Sequence, residues 1–176
     1  MKPTQSTAEK SALLLIYTGG TIGMKEDPVV QALKPFNFSQ ILEEVPELGK
    51  FAYRIDSYTF DPLIDSSDVE PAHWISLVRL IEERYDEYDG FVILHGTDTM
   101  AYSASTLSFM IEGLTKPVIF TGSQLPVGVL RSDAKENLIT AAVSAGGDGL
   151  YQFLISIEDL ETPVLRAAVD CILLDP

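Results

Sequence analysis

Three short runs rich in hydroxyl and carboxylate side chains each follow an apolar stretch of strand length. They are Thr18-Gly19-Gly20-Thr21-Ile22-Gly23, Asp65-Ser66-Ser67-Asp68 and His95-Gly96-Thr97-Asp98-Thr99. Glycines beside the threonines of the first run permit a tight turn and let backbone N–H groups approach a ligand. A hydroxyl next to a carboxylate, as in Thr97-Asp98, can orient a proton transfer. Each run also has an ordinary reading. A strand followed by Gly-Gly is commonly structural, Thr97 or Asp98 could cap the next helix, and one of residues 65–68 could cap another. His95 is more often a satisfied core histidine than a base. Co-occurrence favours chemistry, because three polar turns at the ends of three strands converge on one edge of a sheet, where such folds bind ligands.

The elements that must position these turns are legible as alternation. Residues 13–17, 53–60, 91–94, 118–120 and 153–157 read as strands, several apolar throughout, as in strands buried on both faces. Between them, Trp74, Leu77, Val78, Ile81 and Tyr85 recur at helical spacing over 71–88, with Pro71 in the first turn. Residues 99–114, with Met100, Ala104, Leu107, Phe109 and Met110, are expected as a helix packed deep against the sheet, and 133–144 as a third. Such alternation implies right-handed crossovers and a doubly wound, mostly parallel α/β sheet with helices on both faces. Residues 23–35, charged and with two prolines, are expected as a mobile loop.

Composition narrows the partners. A chain of 176 residues, 46% hydrophobic, suffices for one main domain with a sizeable core. Twelve basic against 26 acidic residues give a net charge of −14, which repels phosphate backbones and anionic headgroups, so neither nucleic acid nor membrane is an expected partner. Cys171 is the single cysteine, so no internal disulfide can form and a reducing compartment fits. The apolar run 12–17 is too short for a signal core or a membrane span, and the expected location is cytoplasmic. Neither a dinucleotide fingerprint nor a Walker lysine accompanies Gly19-Gly20, which disfavours a nucleotide site.

In their order and spacing the three motifs resemble those of the L-asparaginases of the bacterial cytoplasmic type. Thr121-Gly122-Ser123-Gln124, Arg131-Ser132-Asp133 and Asn137-Leu138 strengthen the likeness, which covers roughly residues 11–145. It implies that Thr21 attacks the side-chain amide carbon of L-asparagine to give an acyl-enzyme, which water hydrolyses to L-aspartate with loss of ammonia. Thr18 would be mainly structural. Thr97 and Asp98 would position substrate and water and assist proton transfer, Asp98 also holding the α-ammonium. Ser66 and Ser67 would bind the substrate's α-carboxylate and amine. The chemistry requires no metal or organic cofactor, and the likeness implies a homo-oligomer, dimer or tetramer.

Several features depart from that pattern. The family's catalytic lysine lies after the fifth strand, and this chain has no lysine after Lys135. General acid–base groups contribute about 10²–10⁴-fold, so weak or absent turnover is expected. The segment 23–35 lacks a lid tyrosine, and Ala134 replaces a glycine. The expected division is an α/β domain over 1–145 and a divergent segment over 146–176, a last strand and helix or a truncation or frameshift product, with the family's smaller second domain absent. The alternatives are a glutaminase or amidotransferase-type amidohydrolase, and a non-catalytic amino-acid-binding module.

Overall fold

The computed structural model describes residues 11–27, 32–35, 41–146 and 153–156. Its main sheet has five strands, β1 (Ala12–Tyr17), β4 (Arg54–Thr59), β5 (Gly90–Leu94), β6 (Val118–Thr121) and β7 (Phe153–Ser156). All pair in parallel, in the order β4-β1-β5-β6-β7. From β1, second in that order, the chain steps outward to the edge strand β4, then crosses to β5 and continues the other way. That reversal creates a crevice between the carboxyl ends of β1 and β5, the place where open α/β sheets accept ligands.

Side-chain alternation splits the core into two layers. Leu14 and Ile16 of β1, Phe91 and Ile93 of β5 and Phe120 of β6 face helices α2 (Pro71–Arg84) and α3 (Met100–Met110). Leu13, Leu15 and Tyr17, with Val92, Leu94 and Ile119, face the short α1 (Ile41–Glu44) and α4 (Ala134–Gly146). Every residue of β1, β5 and β6 is buried, which is why these strands read as continuous apolar runs. The expected doubly wound architecture is thus present, with helices on both faces.

Differences from expectation have local causes. The strand expected at 53–60 forms as β4, but at an edge, with four of its six residues exposed. The helix expected over 71–88 ends at Arg84 and tightens into a 3₁₀ turn over Tyr85–Glu87. The helix expected over 99–114 stops at Met110, three residues before Gly113 takes a left-handed φ of 68°. Phe109, expected in its buried face, is 87% exposed. The segment expected as a mobile loop carries an antiparallel pair, β2 (Met24–Asp27) and β3 (Ala32–Pro35), with Met24 opposite Pro35. Residues of β3 are exposed, so no alternation of burial marked the ribbon in the sequence. Strand β7 lies beyond residue 145 yet joins the same sheet, while residues 157–176, including Cys171, lie outside the described residues.

Candidate active site

The first turn is built by the end of β1. Thr18 is buried, and its backbone N–H and hydroxyl both donate to the carbonyl of Leu94, at 3.0 and 2.9 Å. Its own carbonyl accepts from Ile64 N–H at 2.7 Å. The Thr18 hydroxyl is thereby consumed in stapling β1 to β5, the structural role expected of it. Gly20 follows at φ 88°, and a Cβ there would stand 2.7 Å from both N and Cα of Gly96. A Cβ on Gly96 would in turn stand 2.4 Å from Ser66 Oγ. Close approach, not freedom to turn alone, requires glycine at these two positions, because the three polar turns touch there. Tyr17 buttresses the turn from beneath, its hydroxyl donating to Gly20 O at 3.0 Å. Burial pushes its pKa up to about 12, so it stays a neutral donor.

Above these contacts lies a cleft of about 430 Å³. Thr21, which opens a 3₁₀ turn, lines it together with Ser66, Thr97, Asp98, Asp65 and Gln124. Met24 and Pro35, paired across the β2–β3 ribbon, form a wall with Leu63 and Ile64. The structure therefore brings Thr21, Thr97, Asp98 and Ser66 to one cavity from three distant stretches of chain. Ser67 is not among the lining residues; its N–H and hydroxyl donate to Asp65 Oδ1 at 2.9 and 2.8 Å.

The cleft is electronegative. Ser66 Oγ donates to Asp98 Oδ2 at 3.1 Å, and Thr99 Oγ1 fixes the turn by donating to Ser66 O at 2.6 Å. The Ser67 N–H, and then its hydroxyl, hold the Asp65 carboxyl below its ordinary pKa, so it remains ionised. Among the described residues no lysine or arginine lines the cleft, so two carboxylates can accept a ligand's ammonium group. The described residues contain no group of three or more His, Cys, Asp or Glu placed to hold a metal ion.

Three residues gain a place that spacing alone did not assign. Gln124 Nε2 donates to Thr97 Oγ1 at 3.2 Å, orienting a hydroxyl in the cleft. The turn bearing Gln124 is held by Asp133, whose two oxygens accept the N–H groups of Gln124 and Leu125 at 3.0 and 3.1 Å. Asn137 completes this clamp through Gly122 O at 2.9 Å. Their signal in the sequence was the family likeness that Gln124, Asp133 and Asn137 help to carry, which gave them no role. Ala134 is buried at the start of α4 without a positive φ, so its Cβ is accommodated. His95 sits beneath the cleft, and burial lowers its pKa, against a smaller opposing effect from the Gly96 carbonyl. It is a neutral core residue and does not line the cleft.

Comparison with known proteins agrees with this arrangement. Residues 12–166 match the family model "Asparaginase, N-terminal", farther along the chain than the motifs alone reach. L-asparaginase 1 of Escherichia coli strain K12 is 48% identical over 136 residues, covering 76% of this chain and 40% of its own length. The crystal structure of L-asparaginase I from Vibrio cholerae is similar with a TM-score of 0.70 at 48% identity, covering 77% of this chain and 41% of that one. The structure of the probable cytoplasmic L-asparaginase from Campylobacter jejuni is similar with a TM-score of 0.71 at 28% identity, covering 85% and 45%. The chain thus spans less than half the length of these relatives. With strand order, three converging turns and family match in agreement, the chain belongs to the asparaginase family, as its N-terminal domain.

Proposed function

We propose that this chain carries the nucleophile of an amidohydrolase that converts L-asparagine to L-aspartate and ammonia. The observation that supports this most is the meeting of Thr21, Thr97 and Asp98 in one cleft, with Ser66 donating to Asp98. In this reading the Thr21 hydroxyl attacks the side-chain amide carbon and loses its proton as ammonia leaves. A water molecule held near Thr97 then cleaves the resulting ester and returns the proton to Thr21. Asp98 and Asp65 hold the α-ammonium, Ser66 contributes to the α-carboxylate, and Ser67 acts through Asp65, whose carboxylate it fixes.

A threonine hydroxyl needs a proton acceptor, and no lysine lines the cleft among the described residues. Turnover by the chain alone is therefore expected to be slow, by about 10²–10⁴-fold against a site with its general base in place. That same feature favours a second reading, a binding module that retains the amino-acid pocket without turnover. No helix among the described residues is long and apolar enough to cross a membrane. A cytoplasmic location accords with the single cysteine and with the name of the Campylobacter relative. A homo-oligomer is the assembly that the family likeness implies for the whole protein.

Ammonia release from L-asparagine, with L-glutamine as competitor, tests the assignment. Slow release that Thr21→Ala abolishes while L-aspartate still binds is the expected outcome. L-Aspartate binding with no release from the unmodified chain favours the binding module, and failure to bind L-aspartate removes both readings.

A further inference from the structure

Beneath the cleft runs a chain of hydrogen bonds that the proposed reaction does not use. Trp74 Nε1 of α2 donates to Ser103 Oγ of α3 at 2.9 Å. Ser103 Oγ lies 3.0 Å from His95 Nε2, and His95 Nδ1 lies 2.7 Å from Gly96 O. A carbonyl only accepts, so Nδ1 carries the proton; a neutral imidazole then accepts at Nε2, and the Ser103 hydroxyl must be its donor. Direction is therefore fixed along the whole chain, from indole to hydroxyl to imidazole to backbone. His95 and Ser103 are 3% and 0% exposed, so water does not compete for these groups.

The endpoint matters because Gly96 is wedged between the other two polar turns, against Gly20 and Ser66. In a trans peptide the N–H points opposite to the C=O. With the Gly96 carbonyl held by the imidazole, the Thr97 N–H points away from His95, and both Gly96 and Thr97 line the cleft. We propose that His95 is a positioning residue, which through Nδ1 sets the Gly96–Thr97 peptide plane so that Thr97 offers a backbone donor to an anionic group of the bound amino acid. This rests on the amino-acid pocket proposed above, although the hydrogen-bond chain itself does not.

Two substitutions separate positioning from bulk stability in the full chain. Asparagine places a carboxamide N–H near the Nδ1 position and glutamine places one near Nε2. His95→Gln is expected to weaken L-aspartate binding about tenfold, the equivalent of one buried hydrogen bond, and His95→Asn to recover most of that loss. Nitrogen-15 NMR of the ring is expected to show Nε2 unprotonated in the unmodified protein. Equal weakening in both variants, or a proton on Nε2, overturns the proposal. Failure of the unmodified chain to bind L-aspartate while the ring shows the expected tautomer overturns the amino-acid pocket instead, and with it the role for Thr97.

Discussion

At the scale of single residues, two threonines three positions apart have opposite fates. Thr18 spends its hydroxyl on Leu94 O inside the protein, whereas Thr21 lines the cleft. Thr18→Val leaves a buried acceptor with one donor fewer and is expected to cost about 1–3 kcal/mol in urea denaturation. It should leave L-aspartate affinity within about twofold, since its side chain does not reach the cleft; a larger change in affinity than in stability would count against the structural role. The same contrast governs the second and third motifs. Ser66 is buried against Asp98, while its neighbour Ser67 is exposed and bonded to Asp65. The motif Asp65-Ser66-Ser67-Asp68 announces polar chemistry, but one residue of rotation decides which serine faces a ligand, and that depends on the 3₁₀ turn over Ser66–Asp68.

At the scale of elements, the periodicity that marks the helices identifies the buried face and misjudges its ends. In α3, Leu107 is fully buried and Phe109 is 87% exposed, although both are large and apolar. Leu107→Ala is expected to cost about 2–5 kcal/mol, whereas Phe109→Ala should fall within about 0.5 kcal/mol of the unmodified protein. Thermal or chemical denaturation of the two variants checks this, and a large loss for Phe109→Ala would mean that another surface covers it in solution. The β2–β3 ribbon shows the converse. Charged residues and prolines concealed an antiparallel pairing, because strand alternation is visible only when one face is buried.

For the molecule as a whole, the neutral His95 beneath the cleft couples the fold to pH. Burial holds its pKa below the ordinary 6.5, so below that pH the unfolded chain takes up a proton that the folded protein refuses. Stability therefore falls as pH drops from 6.5 toward the folded-state pKa, by at most about 1.4 kcal/mol per unit for this one group. His95→Gln should flatten that part of the profile, and urea denaturation at roughly pH 7.5 and 5.5 reads the difference; an unchanged slope would show that other groups carry it. Such coupling is invisible in sequence, since a lone histidine before Gly-Thr-Asp gives no sign of its depth. Alternation of apolar runs and helical spacings by itself determined a parallel α/β sheet covered on both faces, because burial on both sides of a strand leaves no room for polar residues. Polar turns after three of those runs marked a candidate site and the residue types that line it. Strand order was left to the tertiary structure. Only when β1 and β5 lie side by side with the chain reversing between them do Thr21, Ser66, Thr97 and Asp98 share one cleft, with Gln124 added from the end of β6. Pairing of distant strands is a property of the packed core and of backbone contacts such as Gly20 against Gly96, and no local pattern of residues encodes it.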